Sequence, residues 1–134
     1  MNILMDTHII VWALTDDSRL SEKARELLLS EHSTLYYSVV SLWEMSIKHS
    51  IHPDIMAYDP KVIKRYCDEA GFFELPLIDS HVFLLDSLKR SNKYKPQNDP
   101  FDRVLLAQAK AEKMAFVTHD SLFKGFDEEH LIIV

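Results

Sequence analysis

The sequence predicts an α/β sandwich around a mostly parallel sheet of five short strands. Three observations predict it. Apolar, β-branched runs alternate with helical patterns along the chain, which is the signature of strands joined by crossover helices. The length, 134 residues, suits one core, so residues 1–134 are expected to form a single domain. Hydrophobic residues make up 47% and charged residues 27%, an ordinary globular balance, with no internal repeat or low-complexity tract.

Each element has a local reason. "NILMDTH" is a short apolar run closed by an acid, the pattern of a buried strand ending at Asp6. "IIVWAL" then reads as a first helix, and "LSEKARELLLSEH" as an amphipathic helix capped by Ser21. "TLYYSVVS" is β-branched and aromatic, hence a strand, and "SLWEMSIKHS" a helix with Ser41 as cap and Glu44 at N3. Pro53 and Pro60 bracket a loop before the helical "KVIKRYCDEA". "GFFELPL" predicts a short strand, and "DSHVFLLDSLKR" a helix capped by Asp79. In "NDPFDRVLLAQAK", Asp99 is an N-cap, Pro100 the first helical residue and Asp102 an acid at N3. "AFVTHD" is a strand ending in an acid, and "HLIIV" a last strand.

Composition excludes several functions. With only two glycines, phosphate loops of the Walker or Rossmann kind are absent. Cys67 is alone, so no internal disulfide forms. No signal peptide or membrane-length apolar run is seen, so the expected compartment is the cytoplasm and no membrane is involved. A formal charge of −6 argues against coating nucleic acid through bulk electrostatics. It leaves room for a nuclease, which concentrates carboxylates at its centre and needs only local positive charge. "LKRSNKYKP" offers Lys89, Arg90, Lys93 and Lys95 for that purpose; the alternative is a solvated loop.

Ligands of open parallel sheets bind outside the carboxyl ends of the strands, near a switch in strand order. Asp6, Glu44, Asp102 and Asp120 all fall near that edge in this reading. Asp102 reaches it only if the basic segment returns the chain to the top of the sheet. Carboxylates so grouped repel unless a cation intervenes, and Mg²⁺ or Mn²⁺ suits all-oxygen ligands. Such an ion can activate water and stabilise charge on a phosphodiester.

"MDTH", "SLWEMSIK", "NDPFDRVLLAQAK" and "FVTHD", in this order over essentially the whole chain, resemble the PIN domain, and more narrowly the VapC-type ribonuclease toxins of toxin–antitoxin pairs. The resemblance implies a three-layer α/β/α sandwich and an Mg²⁺- or Mn²⁺-dependent endoribonuclease. It also implies a homodimer, and a cognate antitoxin whose C-terminal segment blocks the acidic cleft. The family's acidic quartet falls on Asp6, Glu44, Asp102 and Asp120. Asp6, Asp102 and Asp120 would ligate the ion, with Glu44 completing the shell or orienting the attacking water; products would carry 5′-phosphate and 3′-hydroxyl ends. Asp102 rather than Asp99 matches the family's helix pattern, which leaves Asp99 as a cap with a supporting contact to the site. Relatives often carry a histidine where this chain has Gln97.

Around the quartet, Thr7 and Thr118 either hold the acids through their hydroxyls or are ordinary strand-end threonines. Arg103 either binds phosphate or pairs with a neighbouring acid. His8 and His119 are read as polar surface, and His49 and His52 lack the further soft ligands that zinc requires. Two rival readings remain. In a haloacid-dehalogenase-like phosphohydrolase the acid after the first strand is a nucleophile, usually with a second Asp two residues on, where this chain has His8. In a non-catalytic binding or regulatory domain every acid is only a cap.

Overall fold

Side chains of β1 (Asn2–Met5) alternate between two buried layers, and this alternation organises the molecule. The computed structural model describes residues 1–96 and 98–134, so the Gln97 substitution lies outside the described residues. After β1 come α1 (Thr7–Thr15), α2 (Glu22–Leu29), β2 (Thr34–Ser38), α3 (Val39–Ile51), α4 (Pro60–Glu69) and β3 (Phe73–Leu75). They are followed by α5 (Asp79–Phe83), α6 (Pro100–Ala111), β4 (Ala115–Thr118) and β5 (Leu131–Ile133). Short 3₁₀ turns occupy Leu85–Ser87 and Ser121–Gly125.

The strands form one sheet in the order β3-β2-β1-β4-β5, and every neighbouring pair is parallel. Ile3 pairs with Leu35 on one side and Ala115 on the other, so β1 is central. Ile3, Met5, Tyr37 and Val117 face Ile9, Ile10, Ala24, Leu28, Ile63 and Cys67 from α1, α2 and α4. Leu4 and Phe116 face Leu105, Leu106 and Ala109 of α6, with Phe123 and Phe126. The result is a three-layer α/β/α sandwich, with strands buried on both faces as parallel sheets require. The chain steps outward from β1 to β3 and then crosses back to place β4 on the other side of β1. The switch point therefore lies between β1 and β4.

Three local expectations are corrected. The strand ends at Ser38 rather than running through "VVS", and α3 begins at once, with Ser38 accepting the Val40 N–H (3.0 Å). Ser41 is thus inside α3 and buried, not its cap, and Glu44 lies nearly two turns into the helix. Two valines suggested strand, but a capping serine directly before them outweighs that weak preference. The helix expected from Asp79 to Arg90 stops at Phe83 and continues only as the 3₁₀ turn, and Asp79 is its first residue rather than its cap. Finally, Asp102 needs no special loop to reach the top of the sheet. A helix leading into a parallel strand descends antiparallel to it, which puts the N-terminus of α6 at the exit edge.

Candidate active site

Asp6 follows the last residue of β1 and caps α1, with Oδ1 accepting the Thr7 N–H at 2.8 Å. Its other oxygen accepts from the Thr118 hydroxyl at 2.7 Å, across the junction of β1 and β4. That hydroxyl in turn accepts the Asp120 N–H at 3.0 Å, so one buried threonine ties the two acids together. Asp120 caps the 3₁₀ turn through Leu122 N–H (2.9 Å). The Thr7 hydroxyl lies 2.9 Å from both Glu44 Oε1 and Ser41 Oγ. Having one proton, it donates to the carboxylate and accepts from Ser41. Glu44 Oε2 accepts from Lys48 Nζ at 2.6 Å, one turn along α3. On α6, Asp99 is the N-cap and accepts the Asp102 N–H at 3.1 Å.

Asp6, Glu44, Asp102 and Asp120 all line one pocket of about 200 Å³, together with Thr7, His8, Lys48, Asp99 and Leu122. A larger recess of about 490 Å³ lies between Met1, Leu27 and Ile132 and is mainly apolar, so chemistry rather than size singles out the acidic pocket. Crowding has electrostatic consequences. Asp102 is pushed up to about 8, first by burial and then by the charges of Asp6, Asp99, Glu44 and Asp120. Burial also raises Asp6, against the hydrogen bonds from Thr118 and Thr7. For Lys48, burial opposes the charge, but Glu44, Asp99 and Asp102 outweigh it and raise its pKa.

Lys48 is the site residue that the sequence reading missed. Its signal was its place four residues after Glu44, the spacing that puts two side chains on one helix face. Ser41 and the Ser38–Gln108 contact were missed as well. Ser38 Oγ donates to Gln108 Oε1 at 2.5 Å with both residues fully buried, joining α3 to α6. Other expected residues lie elsewhere. Arg103 is not part of the pocket lining, and its Nε is buried with no hydrogen-bond partner among the described residues. Lys89 lines a different recess with Lys110, Lys113 and Glu128. Arg90 lies over the Phe126 ring at 5.1 Å, and Lys93 and Lys95 are exposed and away from the pocket lining. His8 is at the pocket rim, while His119 donates to the Val134 carbonyl at 2.7 Å.

The donor chemistry fits a hard divalent ion: carboxylate oxygens predominate, and burial, with the neighbouring carboxylates adding to it, leaves Asp102 far above the usual carboxylate range. Among the described residues, no three such groups close on one point in the conformations present. Asp6 and Glu44 have both oxygens hydrogen-bonded, to Thr7, Thr118 and Lys48.

The fold is similar to a chain in the crystal structure of VapBC2 from Rickettsia felis bound to a DNA fragment from their promoter. The identity is 19% and the TM-score 0.61, over 100% of this chain and 98% of the other. Comparison with curated proteins gives no match. The family model of the PIN domain matches residues 3–129. A match of that extent, on a parallel sheet whose strand order turns where the acids gather, means that the chain belongs to the PIN domain family.

Proposed function

We propose that this chain is a divalent-metal-dependent endoribonuclease of the VapC toxin kind, with residues 1–134 working as one domain. The observation that carries this reading is the approach of Asp6, Glu44, Asp102 and Asp120, from four separate elements, to one pocket beside the β1–β4 switch point. PIN domains are in general nucleases, and their usual cofactor is a divalent metal ion.

Asp6, Asp102 and Asp120 would hold Mg²⁺ or Mn²⁺, with Glu44 completing the shell or holding a water. Such an ion supplies a polarised phosphoryl oxygen and a water of lowered pKa. Thr118 and Thr7 keep the Asp6 carboxylate aimed into the pocket, as groups behind a metal ligand commonly do. Glu44, released from Lys48, would orient the water that attacks phosphorus in line with the departing 3′ oxygen, which takes up a proton from solvent as the P–O bond breaks. Lys48, which lines the pocket, would then face the phosphate. The products carry 5′-phosphate and 3′-hydroxyl ends.

The partner reading follows the neighbouring VapBC2 complex: a cognate antitoxin would cover the acidic pocket. A homodimer is supported by exposed apolar residues on α3, where Val39, Trp43, Ile47 and Ile51 recur every fourth position. Among the described residues no helix is long and apolar enough to cross a membrane, and the proposed place of action is the cytoplasm. The test is cleavage of single-stranded RNA by the purified chain with Mg²⁺ or Mn²⁺, alongside DNA of the same sequence. Cleavage of RNA that stops with EDTA is expected. Undiminished cleavage in EDTA would remove the metal mechanism, and failure to bind Mn²⁺ at millimolar levels would leave a binding domain whose acids are only caps.

A further inference from the structure

A second recess of about 210 Å³ adjoins the acidic pocket, lined among others by His8, Trp12, Arg19, Lys48, Ile55 and Tyr58. His8 and Lys48 line both spaces, so the two share a wall. The recess is firmly built. Arg19 is gripped by both oxygens of Asp17 (3.0 and 2.8 Å) and lies 5.0 Å over the Trp12 ring. The His8 ring stacks near-parallel on Trp12, with centroids 5.8 Å apart. On the far side, buried Met56 anchors the loop after α3. The Ile55 and Met56 N–H groups both donate to the His52 carbonyl at 3.0 Å, and His49 Nδ1 donates to Met56 O at 2.9 Å. Ile55 and Tyr58 remain exposed above that anchor.

Flat apolar faces bordered by cations are how proteins hold single-stranded nucleic acid, because every base has a face to stack and every link a phosphate. Two of the five donors of the Arg19 guanidinium go to Asp17 side-chain oxygens, which leaves others for an anion. The space is below the roughly 300 Å³ of a drug-sized pocket, which suits a single base. If a phosphodiester lies in the acidic pocket, an adjacent nucleotide has this recess directly beyond the shared wall.

We propose that the recess is the subsite for one nucleotide flanking the scissile phosphate, its base against Tyr58 and His8 and its phosphate toward Lys48 and Arg19. This rests on the nuclease reading of the acidic pocket. The test titrates the full chain, with Mg²⁺ present, with uridine 5′-monophosphate and uridine 3′-monophosphate while the two tryptophan indole N–H resonances are followed by NMR. Trp12 lines the recess; Trp43 packs edge-on against Phe101 (centroids 4.8 Å), is in the lining of neither space and is the internal control. At least one nucleotide should shift Trp12 and leave Trp43 in place. Tyr58→Ala and Arg19→Gln should weaken that shift and raise KM for RNA, Tyr58→Ala by about 5- to 150-fold, the range of one lost base–aromatic stack. Tyr58→Phe should keep the wild-type KM, and Mn²⁺ affinity should stay within about twofold in all three. A Trp12 resonance indifferent to both nucleotides overturns the proposal. So does an unchanged KM in Tyr58→Ala and Arg19→Gln, which would mark the recess as a protein-facing surface. A wild-type chain that cleaves no RNA removes the nuclease reading instead, and the Trp12 titration still decides the recess.

Discussion

The two walls of the acidic pocket are built by different means. On the β1 side, every carboxylate oxygen of Asp6 and Glu44 is engaged by Thr7, Thr118 or Lys48, and both acids are buried. On the α6 side, Asp102 is half-buried at the first turn of a helix, where Asp99 caps its backbone N–H, and it carries the strain of its neighbours' charge. One wall is pre-set by core hydrogen bonds; the other is placed by helix geometry and holds Asp102 in a buried, like-charged setting. Rigidity and charge frustration thus occupy opposite sides of a single cleft.

The sharpest way to break this contrast is to remove charge from the uncomfortable wall. Asp102→Asn should lower RNA cleavage by well over a hundredfold in folded protein, while Asp99→Asn, which keeps a capping oxygen, should retain most of it. The reverse result, seen in parallel single-turnover assays, would transfer the metal-binding role to Asp99. A smaller effect is expected from the rigid wall. Thr118→Val keeps the shape but leaves Asp6 Oδ2 without its donor and the Asp120 N–H without its acceptor. Mn²⁺ affinity by calorimetry should fall about 10- to 100-fold, the usual loss for a group that orients a ligand. Stability to urea should fall by about 1–3 kcal/mol, since buried polar groups lose their partners.

Charge frustration also predicts a pH dependence. The Asp102 pKa is raised from an ordinary 3.8 to about 8, so folded protein holds a proton that unfolded chain has released. Its contribution to stability is complete below the unfolded value and is lost as pH rises toward and through about 8. Metal-free protein should therefore show a falling melting temperature between pH 5 and about 8.5, with Asp102→Asn flattening the profile. Saturating Mn²⁺ should flatten it too, and a profile that is the same with and without metal would disconnect Asp102 from the ion. Smallest of all, Asp99→Ala should cost about 0.5–2 kcal/mol in urea unfolding, the ordinary loss of a cap.

Much of this architecture is legible in the sequence because it depends on periodicity. The alternating strands and helices, the Asp99–Pro100 start of α6 and the Ser21 cap are local patterns, and they appear as read. The acids closing β1 and β4 are equally local, so their common edge follows once the sheet is parallel. What fails is whatever depends on competition between neighbours or on distant pairing. Ser38 and Ser41 are three residues apart and both can cap; tertiary packing selected Ser38, whose hydroxyl also reaches Gln108, 70 residues away. "DSHVFLLDSLKR" has helical composition throughout. Its buried His81 instead donates or accepts at both ring nitrogens, to Glu112 and from the Ile78 N–H, and the helix ends two residues later. Lys48 escaped notice because a lysine four residues from a glutamate is commonplace on solvated helices, and only its partial burial beside Asp99 and Asp102 gives it another meaning.

The central place of β1 has a consequence for synthesis. The residues it needs on one flank, in β2, follow it within a few dozen positions, but the strand on its other flank is β4, and the hydrogen bond from Thr118 to Asp6 spans 112 residues. A growing chain therefore carries Asp6 and Glu44 long before Asp102 and Asp120 exist, and until β4 arrives one edge of β1 is open to other strands. The pocket comes into being late and all at once. A ribosome-bound chain stalled anywhere before β4 has no complete acidic cleft, so whatever chemistry the cleft performs is withheld from the cell until β4 and Asp120 have been made.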